Sequence, residues 1–251
     1  MSTIIAVFNQ AGGVAKTTLV HNVSYHLGQR QHRVLAIDMD PQASLTTFMD
    51  FLPEELTTTV YDAVVEQAPL PVQEDIYGVD LAPANINLSA AEGKLINEFS
   101  REDRLETALE PLQADYDFIL IDCPPNLGLL NILSLAAATH VLVPIQTQFK
   151  AFESTNLLLS TVNKIRRKLN PDLKIAGFVP TIHAVQNSQD VRTLGVIQAE
   201  LAPMGLIFSP LPRATAFADA AEQRQPLAKY ARRHPVLTVL DEIAAGLEAL
   251  S

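Results

Sequence analysis

The chain has 251 residues, 48% of them hydrophobic and 18% charged, a composition that provides a sizeable core and excludes a disordered chain. Its single cysteine, Cys123, excludes an internal disulfide and a self-contained Cys-rich zinc or iron–sulfur site, and suits a reducing cytosol. The formal net charge of −10 is unevenly spread: residues 1–149 carry 6 Lys/Arg against 19 Asp/Glu, and residues 150–251 carry 12 against 9, so an acidic protein still has room for a basic face.

Apolar runs alternate with amphipathic stretches along the whole length. Strands are expected over Thr3–Phe8, Val34–Asp38, Val79–Ala82, Phe118–Asp122, Val141–Ile145 and Ile175–Pro180, with a short one near Ile207. Helices are expected over Thr17–Arg30, Thr59–Glu66, Ser89–Phe99, Glu102–Gln113, Leu127–Ala138, Phe152–Leu169, Asp190–Leu201, Ala216–Gln223 and Pro235–Leu250. Continuous apolar strands separated by helices imply an α/β fold: a single doubly wound, mostly parallel sheet with helices on both faces, in one domain over residues 1–251. Met1-Ser2-Thr3 enters the first strand without a basic leader, and no apolar run reaches the length of a membrane span. The last helix repeats Val236, Leu237, Leu240, Ile243, Ala244 and Leu247 without any Lys or Arg, so it reads as core-packing and not as a membrane-surface helix. A cytoplasmic protein with no membrane partner is expected.

Four segments at strand ends carry the chemistry. The first, Asn9-Gln10-Ala11-Gly12-Gly13-Val14-Ala15-Lys16-Thr17-Thr18, lies between a strand and a helix. In that order backbone N–H groups and the helix N-terminus can face phosphate oxygens, with Lys16 expected to bridge the β- and γ-phosphates and the Thr17 hydroxyl expected to ligate Mg²⁺. Gln10 and Ala15 occupy the two glycine positions of G-x-x-x-x-G-K-[ST], and alanine is tolerated at 15 only if its φ is negative. A plain Gly-Gly turn is the alternative for the loop taken alone. The second segment, Asp38-Met39-Asp40-Pro41-Gln42, ends a strand in two acids that can share one region or lie exposed. In the third, Asp122-Cys123-Pro124-Pro125, an acid ends a buried strand, which suits a Walker B residue beside Mg²⁺. The fourth, Val143-Pro144-Ile145-Gln146-Thr147-Gln148-Phe149-Lys150, finishes on a lysine just before a helix.

Basic residues gather later, in Lys164-Ile165-Arg166-Arg167-Lys168 and Lys229-Tyr230-Ala231-Arg232-Arg233-His234. Lys164, Arg167 and Lys168 share one helix face, where they would neutralise phosphates without reading bases; a solvated face is the ordinary explanation of such a cluster. The six histidines show no zinc-ligand spacing with cysteine.

Loop, D-x-D-P-Q and D-C-P-P in this order resemble the deviant Walker A ATPases of the ParA/MinD family, from about Thr3 to Leu240. The resemblance implies a P-loop NTPase fold that hydrolyses ATP with Mg²⁺ and closes into an ATP-sandwich homodimer. It assigns ATP contacts to Ala11, Gly12, Gly13, Val14, Ala15, Lys16, Thr17 and Thr18, catalysis to Lys16 and Asp40, and the Mg²⁺ shell to Thr17, Asp38 and Asp122. Ser209–Phe217 resembles the family's adenine-side loop, so Arg213 could serve nucleotide, structure or DNA. The family's first box lysine, which reaches the partner's ATP, is Ala11 here. The McdA branch, which positions carboxysomes, resembles this chain in lacking that lysine and carrying another in the later loop; Lys150 is then the compensating catalytic cation, or else a solvated lysine. By the same resemblance Lys164, Arg167, Lys168, Arg192, Arg213, Arg232 and Arg233 are candidates for non-specific double-stranded DNA binding on the nucleoid. The implied function is carboxysome positioning with an McdB-like adaptor. The alternative is plasmid or chromosome partition with a ParB-like centromere-binding protein. A metabolic P-loop enzyme and a nucleotide-binding scaffold are the readings from other classes.

Overall fold

The computed structural model describes residues 2–148 and 155–250. Six strands, β1 (Thr3–Val7), β2 (Val34–Asp38), β3 (Asp80–Ala82), β4 (Phe118–Asp122), β5 (His140–Gln146) and β6 (Lys174–Thr181), form one sheet in the order β3-β2-β4-β1-β5-β6. Every pairing among these six strands is parallel, and Gln73 adds an isolated antiparallel bridge to Leu81 of β3. The three central strands β1, β2 and β4 are buried along their full length, which is why their sequences read as unbroken apolar runs.

Alternate residues of these strands feed two cores. Ile4, Ala6 and Phe8 pack on one face with α3 (Val60–Glu66), α4 (Ala91–Leu95), α5 (Arg104–Leu109), α6 (Leu129–Ala137), α7 (Thr155–Lys168) and the buried side of α8 (Ser188–Leu201). Ile5 and Val7 pack on the other with α1 (Lys16–Gln29), α2 (Ser44–Phe48), α9 (Ala216–Glu222), α10 (Leu227–Tyr230) and α11 (Leu237–Glu248). The doubly wound α/β sheet is thus the one expected.

Several boundaries differ for local reasons. The helix expected over Glu102–Gln113 is only α5, flanked by 3₁₀ turns at Arg101–Asp103 and Glu110–Leu112, the second of which contains Pro111. The helix expected over Ser89–Phe99 divides into a 3₁₀ turn, Ile86–Ala90, and α4. Near Ile207 there is a single bridge to Phe178 and no strand. The beginning of the Phe152–Leu169 helix lies outside the described residues. Two short helices, α2 and α10, have no counterpart in the sequence reading, because five and four residues are too few to show a helical period.

The final helix packs as expected. Leu240, Ile243, Ala244 and Leu247 of α11 are buried, and Arg30 at the end of α1 ties Asp241 and Glu248 at 2.9 Å each. Among the described residues no helix is long and apolar enough to cross a membrane.

Candidate nucleotide site

The C-terminal ends of β1, β2 and β4 lie side by side, with Asp38 and Asp122 opposite each other in register and Val7 opposite Asp122. This is where an open parallel sheet holds its ligand. Above these ends is a cleft of 540 Å³, lined by Gly13, Ala15, Lys16, Thr17 and Thr18 of the loop, by Asp40, by Ser44 and Phe48 of α2, and by Pro212, Arg213, Ala214 and Phe217. The Ser209–Phe217 segment thus supplies part of the lining, and Arg213 is among the residues that border the cleft. Sequence reasoning misses Phe48 and Ser44 because it misses α2 itself.

The loop is braced from both sides. The Asn9 amide donates to the Pro144 carbonyl at 2.7 Å, and the Asn9 side-chain oxygen accepts the Ala11 N–H at 2.9 Å. The Thr181 hydroxyl donates to the Val14 carbonyl at 3.1 Å, and Gln10 reaches the Thr161 hydroxyl of α7 at 3.2 Å. Lys16 is only 7% exposed and its Nζ donates to the Ala11 carbonyl at 2.9 Å. Burial pushes its pKa down, and Asp122, Cys123 and Asp40 pull it back up.

Ala15 corrects an expectation. It caps α1 with φ 70° and ψ 29°, in the left-handed region, and not with the negative φ that alanine prefers. The turn needs this conformation whichever residue occupies it, so the Cβ adds strain at the site. Ala15→Gly is expected to raise stability by about 1 kcal/mol while keeping nucleotide affinity. Thermal melting with and without nucleotide checks this, and an unchanged or lower midpoint would show that no strain is held at this position.

The acids divide into two kinds. Asp38 is fully buried, and its carboxylate accepts the Thr46 N–H at 2.9 Å, the Thr46 hydroxyl at 2.7 Å and the Asp40 N–H at 3.1 Å. Desolvation raises its pKa to about 6 against the pull of those hydrogen bonds. Asp122 is buried too, but neither of its oxygens has a hydrogen-bond partner among the described residues. Desolvation, then the neighbouring Asp38, push its pKa well up; the Thr17 side chain and Lys16 offset part of this, although the Thr17 hydroxyl is not at hydrogen-bond geometry. An unpartnered carboxylate beside a threonine hydroxyl is a donor set that fits hydrated Mg²⁺, which takes one or two carboxylates and keeps its waters. Asp40 lines the cleft, and Cys123 behind it is buried with its thiol pushed up to about 12, so it is inert.

The basic candidates do not form one patch. Lys164, Arg167 and Lys168 are exposed on α7, and Arg192 is exposed on α8, both on one side of the sheet. Arg232 and Arg233 are exposed between α10 and α11 on the opposite side. None of these six makes an ion pair among the described residues. Lys150 lies outside the described residues.

The AAA domain family AAA_31 matches residues 2–175. The sporulation initiation inhibitor protein Soj of Bacillus subtilis is 34% identical over 252 residues, covering 99% of each chain. The chain belongs to the ParA/MinD family of P-loop ATPases. A further family member, the chromosome partitioning protein ParA of Myxococcus xanthus, is 41% identical over 184 residues, 71% of this chain and 64% of that protein, so the match spans under two thirds of its length. Among solved structures, cobyrinic acid a,c-diamide synthase from Mycobacterium smegmatis, with a bound ATP analog and magnesium, is 31% identical with a TM-score of 0.88, covering 98% of this chain and 93% of that one. Apo McdA from Cyanothece has the same TM-score of 0.88 over 100% of both chains at 23% identity, a likeness of fold alone. The specific leaning towards the McdA branch is therefore not supported over ParA: proteins named as chromosome partitioning ParA match at 41% and 34% identity, against 23% for McdA.

Proposed function

We propose that this chain hydrolyses ATP to drive partition of a DNA cargo in the manner of ParA, closing as an ATP-bound homodimer that holds DNA without reading its sequence. The observation that carries the reading is the placement of Lys16 within electrostatic reach of an Asp122 carboxylate that has no hydrogen-bond partner among the described residues, below a cleft that Lys16 and Asp40 line. Lys16 is positioned to exchange the Ala11 carbonyl for phosphate oxygens, and Thr17 and Asp122 to hold Mg²⁺, which when bound would offset phosphate charge. Asp40 orients the attacking water at the mouth of the cleft. In this reading Asp38 supports Asp40 from behind and does not ligate the ion, since its oxygens already hold Thr46 and Asp40.

DNA is assigned to the α7 face first, because Lys164, Arg167 and Lys168 are exposed and α7 is joined to the loop through Gln10 and Thr161. Arg192 extends that side, whereas Arg232 and Arg233 would have to engage DNA on another surface. Arg213 is assigned to nucleotide. The partner is a ParB-like protein that stimulates hydrolysis. An McdB-like adaptor and carboxysome cargo form the second reading, favoured by Ala11, where the family lysine is missing.

The test is ATP-dependent retention of random-sequence duplex DNA by wild type and by Lys164→Ala/Arg167→Ala/Lys168→Ala. The triple variant should lose affinity at least tenfold, and its log–log salt slope should be shallower by roughly 3, at ~0.9 per charge contact. Equal retention by both proteins would remove α7 from DNA binding. A wild type that ignores DNA while turning over a small substrate would favour a synthase. Loss of hydrolysis in Lys150→Ala would favour the carboxysome branch.

A further inference from the structure

We infer that Thr46 is a positioning residue for hydrolysis, holding Asp40 in place through Asp38 and tying it to the loop after β3; the inference rests on the ATPase reading above. Thr46 is fully buried. Its hydroxyl accepts the Ala84 N–H at 2.9 Å and stands 2.7 Å from Asp38 Oδ2. An amide can only donate, so the single hydroxyl proton is left for the carboxylate, and the polarity of the chain is fixed. The Thr46 N–H donates to the same oxygen at 2.9 Å, and the other oxygen, Oδ1, accepts the Asp40 N–H at 3.1 Å. Two further bonds finish the seat of Asp40: its side-chain Oδ1 accepts the Gln42 N–H at 2.9 Å, and its carbonyl accepts the Ala43 N–H at 2.8 Å.

These contacts bridge elements that are far apart in sequence. Ala84 follows β3 at the sheet edge, and the preceding Pro83 carbonyl accepts the Val60 N–H at the start of α3 at 2.9 Å. On the other side, α2 carries Thr46 between Ser44 and Phe48, both of which line the cleft. The β3–α3 edge is therefore connected to Asp40 and to a wall of the cleft by a continuous hydrogen-bond chain, buried from Ala84 to Asp38 and part-buried at the Asp40 N–H. Such networks are stiff because every member is satisfied, and an error of about 1 Å at a water-orienting group can cost ~100-fold in rate.

Single-turnover hydrolysis and ATP affinity of wild type, Thr46→Val and Thr46→Ser test this. Valine keeps the shape and removes the hydroxyl, so turnover should fall by ~10-fold or more while ATP affinity stays within about twofold; serine should restore the rate. Full turnover in Thr46→Val would overturn the tether, as would equal losses in both variants. Absent hydrolysis in the wild type would instead refute the ATPase reading itself. Should Thr46→Val not fold, amide exchange in the wild type decides: the Asp40 and Ala84 N–H groups must be protected, and rapid exchange at either overturns the proposal.

Discussion

Lys16→Ala is expected to abolish ATP-dependent behaviour while the protein stays folded. Lys16 lies almost wholly within the loop, with its ammonium on the Ala11 carbonyl. It is the cation of the cleft's loop wall, since Asp40 and Asp122 nearby are both acids, and without it phosphate oxygens would meet those acids uncompensated. Loss of a preorganised charge of this kind removes about 100- to 1,000-fold in rate, and more where it also carries ground-state binding. The fold has less to lose. The ammonium is already disfavoured by desolvation, so its removal sacrifices one hydrogen bond, some packing and the attraction to Asp122 and Asp40, and Asp122 offsets part of that by taking up a proton. Calorimetric titration with ATP and Mg²⁺ should give no resolvable heat for Lys16→Ala, and gel filtration should show no ATP-induced dimer, at a melting temperature near that of the wild type. An ATP-dependent dimer in this variant would show that the loop does not grip phosphate through Lys16.

The sheet is legible in the sequence because its strands are buried on both faces, and burial on both faces writes an unbroken apolar run. The loop, Asp40 and Asp122 are legible for a related reason: each comes directly after such a run or ends it, so locating the strand locates the residue. The features that stay hidden depend on backbone geometry or long-range pairing. Ala15 has a left-handed conformation that an alanine conceals, although it stands at a glycine position of the motif. Asp38 and Asp40 look alike in sequence, yet one is enclosed by Thr46 and the other lines the cleft. The basic clusters are close in composition and separate in space, because α7 and the α10–α11 junction pack on opposite faces of the sheet. Phe48 stands only a few residues beyond D-x-D-P-Q, but its helix of five residues is too short to announce itself by period.

Asp122→Asn should do what few active-site changes do and stabilise the ligand-free protein while removing its Mg²⁺-dependent function. The raised pKa of Asp122 already includes the help of Lys16 and Thr17, so the net surroundings disfavour the charge. A neutral isostere relieves that penalty, by about 2 kcal/mol on the scale of buried unpaired charges, or roughly 4–8 °C in a chain of this size. The pH dependence separates this from mere repacking. A carboxyl whose folded pKa lies above its unfolded value adds stability below the unfolded pKa and loses it as pH rises through the folded one. Asp38 does the same between about 3.8 and about 6, and buried His21, pushed down to about 4, works the opposite way by losing stability as pH falls from 6.5. His21 remains in the variant and its contribution cancels in the difference between the two melting curves, whereas Asp38 and Asp122 repel each other, so relief of that repulsion is part of the difference and acts in the same direction. That difference should be greatest near pH 8 and shrink as the solution is acidified and wild-type Asp122 takes up its proton. A constant difference across the range, or a wild type that is more stable at pH 8, would mean that the Asp122 carboxylate is already well satisfied before any ion arrives.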